Sequence, residues 1–268
     1  MKNSVILDYP AAHVALITLN QPELRNPISD VATVDAFITA LEQCATRSDI
    51  RCVILTGAGS AFSAGGNIKD MQQKQGMFAG DANAVRNAYA EVIQRIPLAL
   101  AAFPLPIIAA VNGPAVGAGC DMAMYCDMRI ASDNAFFAES FINVGLIPGD
   151  GGAWILPRIV GYARATQMAL TGERIQADTA LQWGMVNEVT SEHALLPRAL
   201  ELAVAISKKS PAAVKATKQL LRQGLQLDLS AVLQLSAAIQ SGLHQGAEHM
   251  EAVTAMLEKR DAIFGNPL

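Results

Sequence analysis

The chain has 268 residues, which is enough for one large domain with a sizeable buried core. A formal net charge of −4 at pH 7 and the lack of a dense Lys/Arg cluster argue against a nucleic-acid-binding surface. The longest apolar run, from Ile96 to Val111, is interrupted by Pro97, Pro104 and Pro106, so we expect no membrane span.

The N-terminal residues and the cysteines indicate the compartment. The first residues, MKNSVILD, lack the charged start and the long apolar stretch of a signal peptide, so we expect a cytoplasmic protein. The four cysteines lie in apolar segments without Cys-x-x-Cys spacing, which is typical of reduced, buried thiols. His244 and His249 lack the spacing of a metalloprotease motif, and we predict no metal site.

Strand and helix patterns alternate along the first part of the chain, and helical patterns alone follow from about Val189 onward. The predicted strands are 13–20, 52–55, 106–111, 128–131 and 135–138. The predicted helices are 31–46, 117–125, 194–207, 212–223, 229–240 and 247–264. The alternation predicts an α/β fold with a helical C-terminal region, and by itself it is also compatible with a doubly wound sheet.

Two glycine-rich loops precede helical patterns. The first, FSAGGNIK at 62–69, follows the apolar strand pattern RCVILT at 51–56, and the second lies within NGPAVGAGCDMAMYCD at 112–127. A loop that opens a helix presents free backbone N–H groups, which favour an anion. If both loops reach the same point, their two donors form an oxyanion hole.

A third glycine-rich segment, GLIPGDGG at 145–152, completes an ordered set of motifs. The three segments, with about fifty residues between the first two, resemble those of the crotonase (enoyl-CoA hydratase/isomerase) superfamily from about Val14 to Val189. LTGERIQA at 170–177 and WGMVN at 183–187 resemble the next family segment.

The resemblance implies the architecture and the assembly. The expected fold is a spiral of strand-strand-helix units with two roughly perpendicular sheets, followed by a C-terminal helical region. Residues 1–193 would form the core with the acyl-CoA site, and residues 194–268 would form the oligomerisation region. The C-terminal helical patterns leave more apolar surface than short helices can bury among themselves, and the resemblance implies that this region forms a homotrimer or a dimer of trimers.

The resemblance also implies a thioester enolate held by the backbone N–H groups of Gly66 and Ala118. The family usually has Gly at the second position, and the methyl group of Ala118 leaves the main-chain donor in place. CoA enters as part of the substrate, so no separate cofactor is expected. The residues that resemble the CoA-binding stretches are Leu24, Arg25, Ala64, Gly65, Gly66, Asn67, Ile68 and Lys69. The family commonly has Asp where this chain has Asn67.

The chain departs from the family's hydratases at their two glutamates. The first glutamate position is Asp121, and the second is Phe141, which cannot transfer a proton. Glu139 would replace the second acid if residues 137–141 stay extended, since it then projects from the same face as Phe141. Asp150 lies one residue from the position of the working aspartate in some isomerases and dehalogenases of the superfamily.

Each acid also has a structural interpretation. Asp150 is well placed to cap the helix that follows it, and Asp121 would complement a helix dipole. Glu139 would pair with a neighbouring subunit or face solvent. The roles of the three acids therefore stay open in the sequence.

Three functions follow from these residues. The first is an isomerase or an atypical hydratase, because a double-bond shift needs only one acid/base. The second is a CoA-thioester hydrolase, a C–C cleaving enzyme or a dehalogenase that uses Asp150, and the third is a non-catalytic acyl-CoA-binding subunit. In each case Met71, Met77, Phe78 and Phe141 are expected to shape an apolar acyl pocket.

Overall fold

A computed structural model describes residues 3–265 of the chain. Residues 1–2 and 266–268, which belong to the predicted ranges 1–193 and 194–268, lie outside the described residues. Between residues 3 and 265, no helix has both the length and the apolar character that crossing a membrane requires.

The described residues alternate strands and helices up to β9 and are helical after it. The strands are β1 (Val5–Ala11), β2 (Val14–Leu19), β3 (Cys52–Gly57), β4 (Ile107–Val111), β5 (Ala115–Val116), β6 (Met128–Ser132), β7 (Phe136–Ala138), β8 (Ile175–Gln176) and β9 (Glu188–Thr190). The first helices are α1 (Val31–Thr46), α2 (Ile68–Gln73), α3 (Ala82–Ala88), α4 (Arg95–Ala102), α5 (Ala118–Tyr125), α6 (Gly152–Val160), α7 (Tyr162–Thr171) and α8 (Ala177–Gln182). The C-terminal helices are α9 (Glu192–Ser207), α10 (Pro211–Gly224), α11 (Leu229–His244) and α12 (Ala247–Glu258). Two further turns matter for the site, a π-helical turn at Tyr89–Ile93 and a 3-10 helix at Ser140–Val144.

The strands form two sheets. The larger has the order β1-β2-β3-β4-β6-β9 and is parallel except for β1, and the smaller has the order β5-β7-β8. Successive units send one strand to the large sheet, a short strand to the small sheet and then a helix, as in β4-β5-α5 and β6-β7-α6. A bridge between Ser63 and Ala115 continues the small sheet toward the loop after β3. This repeated strand-strand-helix unit agrees with the predicted spiral.

The large sheet is covered on both faces, so its central strands β3 and β4 are buried throughout. Alternate side chains of these strands face two different clusters. One face packs against α1, α4 and α5, and the other packs against Leu195, Ala199 and Ala203 of α9. The buried sheet therefore supports the loops at the carboxyl ends of its strands.

Most predicted elements are present with small shifts at their ends. Helix α1 spans 31–46 as predicted, with Asp30 accepting a 2.9 Å hydrogen bond from the Thr33 N–H at its start. The last helix was predicted to reach residue 264 but ends at Glu258, since Lys259 adopts a left-handed conformation with φ of 55°. Strand β1, which pairs antiparallel with β2, was not predicted.

Candidate active site

The two glycine-rich loops meet in the fold. The Val116 N–H donates a 3.0 Å hydrogen bond to the carbonyl oxygen of Ser63, and a Cβ on Gly119 would lie 2.7 Å from the Cβ of Ser63. Gly65 has φ of +76°, and a Cβ on it would lie 2.5 Å from the carbonyl oxygen of Val116. Only glycine permits this approach at both positions, because any side chain would push the loops apart.

This approach brings Gly66 and Ala118 to one cavity. Helix α5 begins at Ala118, so the first N–H groups of the helix have no partner within the helix. Among the described residues, neither the Gly66 N–H nor the Ala118 N–H donates a hydrogen bond. Two free backbone donors therefore stand at the wall of the same cavity.

The cavity has a volume of about 120 Å³ and a mostly apolar wall. The predicted pocket residues Met71, Met77, Phe78 and Phe141 all line it. The ring of Phe141 lies 3.5 Å from the position that a Cβ on Gly117 would take. The remaining lining residues are Ala64, Gly66, Ile68, Tyr89, Ile93, Val116, Gly117, Ala118, Ser140, Asn143, Val144, Leu146 and Asp150.

Asp150 is the one acid of the three candidates that lines the cavity. The residue is buried, and its Oδ1 atom has no hydrogen-bond partner among the described residues. Burial raises the pKa of the Asp150 carboxyl to about 7. The prediction that Asp150 caps α6 is wrong, because Gly151 occupies the N-cap with a left-handed φ of 103° and no side chain caps the helix.

Asp121 and Glu139 are buried outside the cavity lining and form a pair of neighbouring acids. Burial and the nearby charge of Glu139 raise the pKa of Asp121 well above its usual range, and burial raises the pKa of Glu139 to about 7. Among the described residues, none of their four carboxyl oxygens has a partner with good hydrogen-bond geometry, although the Gly152 N–H lies beside Asp121 and the Cys120 thiol lies beside Glu139. A hydrogen bond between the two groups therefore requires a proton on one of them.

The expectation that Glu139 faces solvent or a neighbouring subunit is wrong, since its exposed fraction is 0%. Strand β7 ends at Ala138, and a 3-10 helix begins at Ser140. The extended path that would place Glu139 on the face of Phe141 is therefore absent. Local sequence could not show this, because the turn of the chain after β7 decides which way the acid points.

The two stretches that resemble CoA-binding segments lie side by side. The Ala64 N–H donates a 2.8 Å hydrogen bond to the carbonyl oxygen of Arg25, and the Ile28 N–H donates one of 2.9 Å to that of Gly65. The side chains of this surface that are exposed are Leu24, Arg25, Ile68 and Lys69. Asn67 caps α2, since its side-chain oxygen accepts a 3.0 Å hydrogen bond from the Lys69 N–H.

Two polar residues near the cavity were missed in the sequence. Tyr89 lines the cavity, and Gln94 donates a 3.0 Å hydrogen bond from its side chain to the carbonyl oxygen of Gly149. Both belong to the π-helical turn and its end, which has no recognisable sequence signal. The hydrophobic periodicity of the sequence therefore could not have identified Tyr89 and Gln94 as site residues.

The remaining reactive side chains are the cysteines and the residue types that can bind a metal ion. All four cysteines are free and buried. Throughout residues 3–265, no three or more His, Cys, Asp or Glu side chains come together as a metal site requires.

Comparisons with known proteins agree with this fold. A family model described as enoyl-CoA hydratase/isomerase matches residues 10–267. The short-chain-enoyl-CoA hydratase of Clostridium acetobutylicum is 36% identical, with 96% of each chain covered. The 1,2-epoxyphenylacetyl-CoA isomerase of Escherichia coli is 35% identical, with 97% of each chain covered. A crystal structure of enoyl-CoA hydratase from Bacillus anthracis superposes with a TM-score of 0.92 and 32% identity, covering 98% of this chain and 100% of that one.

The spiral of two sheets and the cavity between its glycine-rich loops define a crotonase-type protein. The chain belongs to the enoyl-CoA hydratase/isomerase family of the crotonase superfamily. It is an enzyme of that family, whose relatives are named as both hydratases and isomerases.

Proposed function

We propose that this enzyme is an acyl-CoA isomerase that moves a carbon–carbon double bond through a thioester enolate. One observation carries the proposal, namely that Asp150 alone among the three candidate acids lines the cavity that also contains Gly66 and Ala118. A double-bond shift needs one acid/base that moves a proton between two carbons, whereas hydration also needs a group that activates water.

The proposed step starts from a 3-enoyl thioester. The Asp150 carboxylate removes a proton from Cα, and the electron pair of that C–H bond passes into a dienolate whose negative charge rests on the thioester oxygen. The N–H groups of Gly66 and Ala118 donate to that oxygen, which stabilises the charge as it develops. Protonated Asp150 then returns the proton to Cγ, and the double bond lies between Cα and Cβ.

The environment of Asp150 suits both halves of this step. A group whose pKa is about 7 is present in both protonation states near neutral pH, so it takes and returns a proton at comparable cost. Phe141, at the second glutamate position of the hydratases, adds an apolar wall instead of a second acid. A relative from Streptococcus mutans named trans-2-decenoyl-[acyl-carrier-protein] isomerase, 31% identical with 94% of each chain covered, supports an isomerisation of an enoyl thioester.

The proposal is tested with two probes, 3-hexenoyl-CoA and 2-hexenoyl-CoA. An isomerase raises the ultraviolet absorbance of the conjugated thioester from the first probe and forms no 3-hydroxy product from the second. In deuterated water, hexanoyl-CoA should exchange its α-protons. A hydratase would form the 3-hydroxy product from 2-hexenoyl-CoA, and an enzyme that binds hexanoyl-CoA but neither exchanges its α-protons nor shifts the double bond of 3-hexenoyl-CoA would contradict the proposal.

A second candidate reaction follows from the same position of Asp150. A carboxylate in the cavity wall can also act as a nucleophile in thioester hydrolysis, C–C cleavage or dehalogenation. Mass spectrometry of protein quenched during turnover separates the two, because a covalent adduct on Asp150 belongs to the nucleophilic reaction and proton shuttling leaves none.

We further propose how the enzyme binds CoA and assembles. Arg25 and Lys69 are the exposed cations beside the cavity that would contact the CoA phosphates.

Exposed apolar residues of α11 and α12, including Leu229 and Met256, support a homotrimer or a dimer of trimers. Light scattering gives the mass of the assembly, and Met256→Glu should reduce it. Free, buried cysteines support a cytoplasmic location.

A further inference from the structure

The segment between α3 and α4 contains a π-helical turn, Tyr89–Ile93. The Gln94 N–H donates a 3.0 Å hydrogen bond to the carbonyl oxygen of Tyr89, which is the five-residue spacing of a π-helix. Such turns occur as single insertions in α-helices and are frequent at functional sites. The turn changes the direction of the side chains at its two ends, Tyr89 and Gln94, relative to an uninterrupted α-helix.

Both ends of the turn lie beside Gly149, the residue before Asp150. The side chain of Gln94 donates a 3.0 Å hydrogen bond to the carbonyl oxygen of Gly149. The Cε1 atom of the Tyr89 ring lies 3.3 Å from the position that a Cβ on Gly149 would take. Gly149 is therefore held by the hydrogen bond from Gln94, and the Tyr89 ring leaves little room for a side chain at this position.

Asp150 has little else to hold it in place. Its Oδ1 atom has no hydrogen-bond partner among the described residues. The titratable groups around it are Asp121 and Tyr125 of α5, Glu139 after β7, and Tyr89. None of these is a cation, so no ion pair fixes the carboxyl at the cavity, and its position depends on the neighbouring backbone.

We propose that Gln94 and Tyr89 are positioning residues for Asp150, holding Gly149 so that the carboxyl stays in the cavity wall. The inference rests on the proposed role of Asp150 as the acid/base of the isomerisation. Neither residue needs to transfer a proton. A displacement of about 1 Å at a reacting group costs up to about a hundredfold in rate, which is the effect the two residues prevent.

The test uses Gln94→Met, which keeps the length of the side chain and removes the donor. With 3-hexenoyl-CoA as the probe, kcat should fall by about ten- to a hundredfold, while the dissociation constant of hexanoyl-CoA stays within about twofold. Loosening the loop also admits water to Asp150, so its pKa falls from about 7 and the corresponding limb of the kcat–pH profile moves to lower pH. A purely structural loss would reduce the amount of folded enzyme without moving that limb.

Gln43→Met, at an exposed position of α1, is the matched control and should behave like the wild type. Tyr89→Ala is the second variant, which replaces Gln94→Met in the test if that variant does not fold. It should lower kcat and move the same limb of the kcat–pH profile to lower pH. Wild-type kcat and an unmoved limb in the folded variants would overturn the inference. Asp150→Asn keeps the two proposals separate. An active Asp150→Asn enzyme would contradict the proposed function itself. An inactive Asp150→Asn enzyme together with an unaffected Gln94→Met enzyme would contradict the positioning role alone.

Discussion

The carboxyl group of Asp121 lies against the Cα of Gly152, where a Cβ would come within 2.9 Å of the Asp121 Cγ. Gly152 begins α6, so the carboxyl lies at the first turn of that helix. Asp121 shares its helix with Ala118, yet it points toward α6 and Glu139 and does not line the cavity.

Asp121→Asn should therefore retain isomerase activity to within about tenfold of the wild type. The amide keeps the shape of the carboxyl and can donate a hydrogen bond to Glu139, so it can replace a protonated Asp121 beside that acid. The measurement is kcat/KM with 3-hexenoyl-CoA, with unfolding curves to show that the variant is folded. A thousandfold loss in a folded variant would place the working acid at Asp121.

Glu139→Gln should change how stability depends on pH. The folded-state pKa of Glu139 is about 7, above the ordinary 4.5, so between these values the folded protein holds a proton that the unfolded chain has lost. The contribution of this group to the free energy of unfolding is therefore fully present below pH 4.5 and is lost as the pH rises through 7. The variant cannot titrate there, so its unfolding free energy should fall less between pH 5 and pH 8, as measured in urea.

The exposed Glu173→Gln serves as the control for that experiment, and its stability curve should run parallel to that of the wild type. A parallel curve for Glu139→Gln as well would mean that the buried pair holds no extra proton.

Gly65→Ala should disrupt the approach of the two glycine-rich loops. The added Cβ would lie 2.5 Å from the carbonyl oxygen of Val116, so the loop must shift and carry the Gly66 N–H with it. We expect kcat to fall by about 10²-fold or more, as when one oxyanion donor is lost. Gly76→Ala is the matched control, because Gly76 also has positive φ but no atom within 4 Å of the added Cβ. Equal losses in both variants would assign the effect to backbone strain alone.

Lys69→Ala should raise KM for the CoA ester by up to about fivefold and leave kcat unchanged, since an exposed cation contributes a modest interaction. The difference should shrink at high salt, because exposed charges are screened. Lys74→Ala, at the exposed end of α2, controls for the loss of one positive charge. An identical KM in both variants would exclude a phosphate contact by Lys69.

Sequence patterns predicted several of the long elements and the glycine-rich loops, but they missed β1 and α7. Helix α1 follows from its amphipathic pattern and the Asp30 cap, and β3 follows from an apolar run between polar flanks. The two-residue strands β5 and β8 were beyond such patterns, because a period cannot be read over so few residues.

The site was predictable only in part. The proximity of the 64–69 loop to Ala118 follows from the motifs, since their glycines permit close backbone contact. The separation of Asp150 from Asp121 and Glu139 depends on the 3-10 helix after β7 and on the left-handed Gly151. These are tertiary features, and neighbouring sequence does not specify which acid reaches the cavity.

The most direct test of the account is the α-proton exchange of hexanoyl-CoA in deuterated water, followed by mass spectrometry with wild type and Asp150→Asn. The account predicts that the wild type exchanges the protons and that the variant binds hexanoyl-CoA with unchanged affinity while exchange slows by about 10²–10⁴-fold. Exchange at the wild-type rate in folded Asp150→Asn would contradict the claim that Asp150 moves the proton.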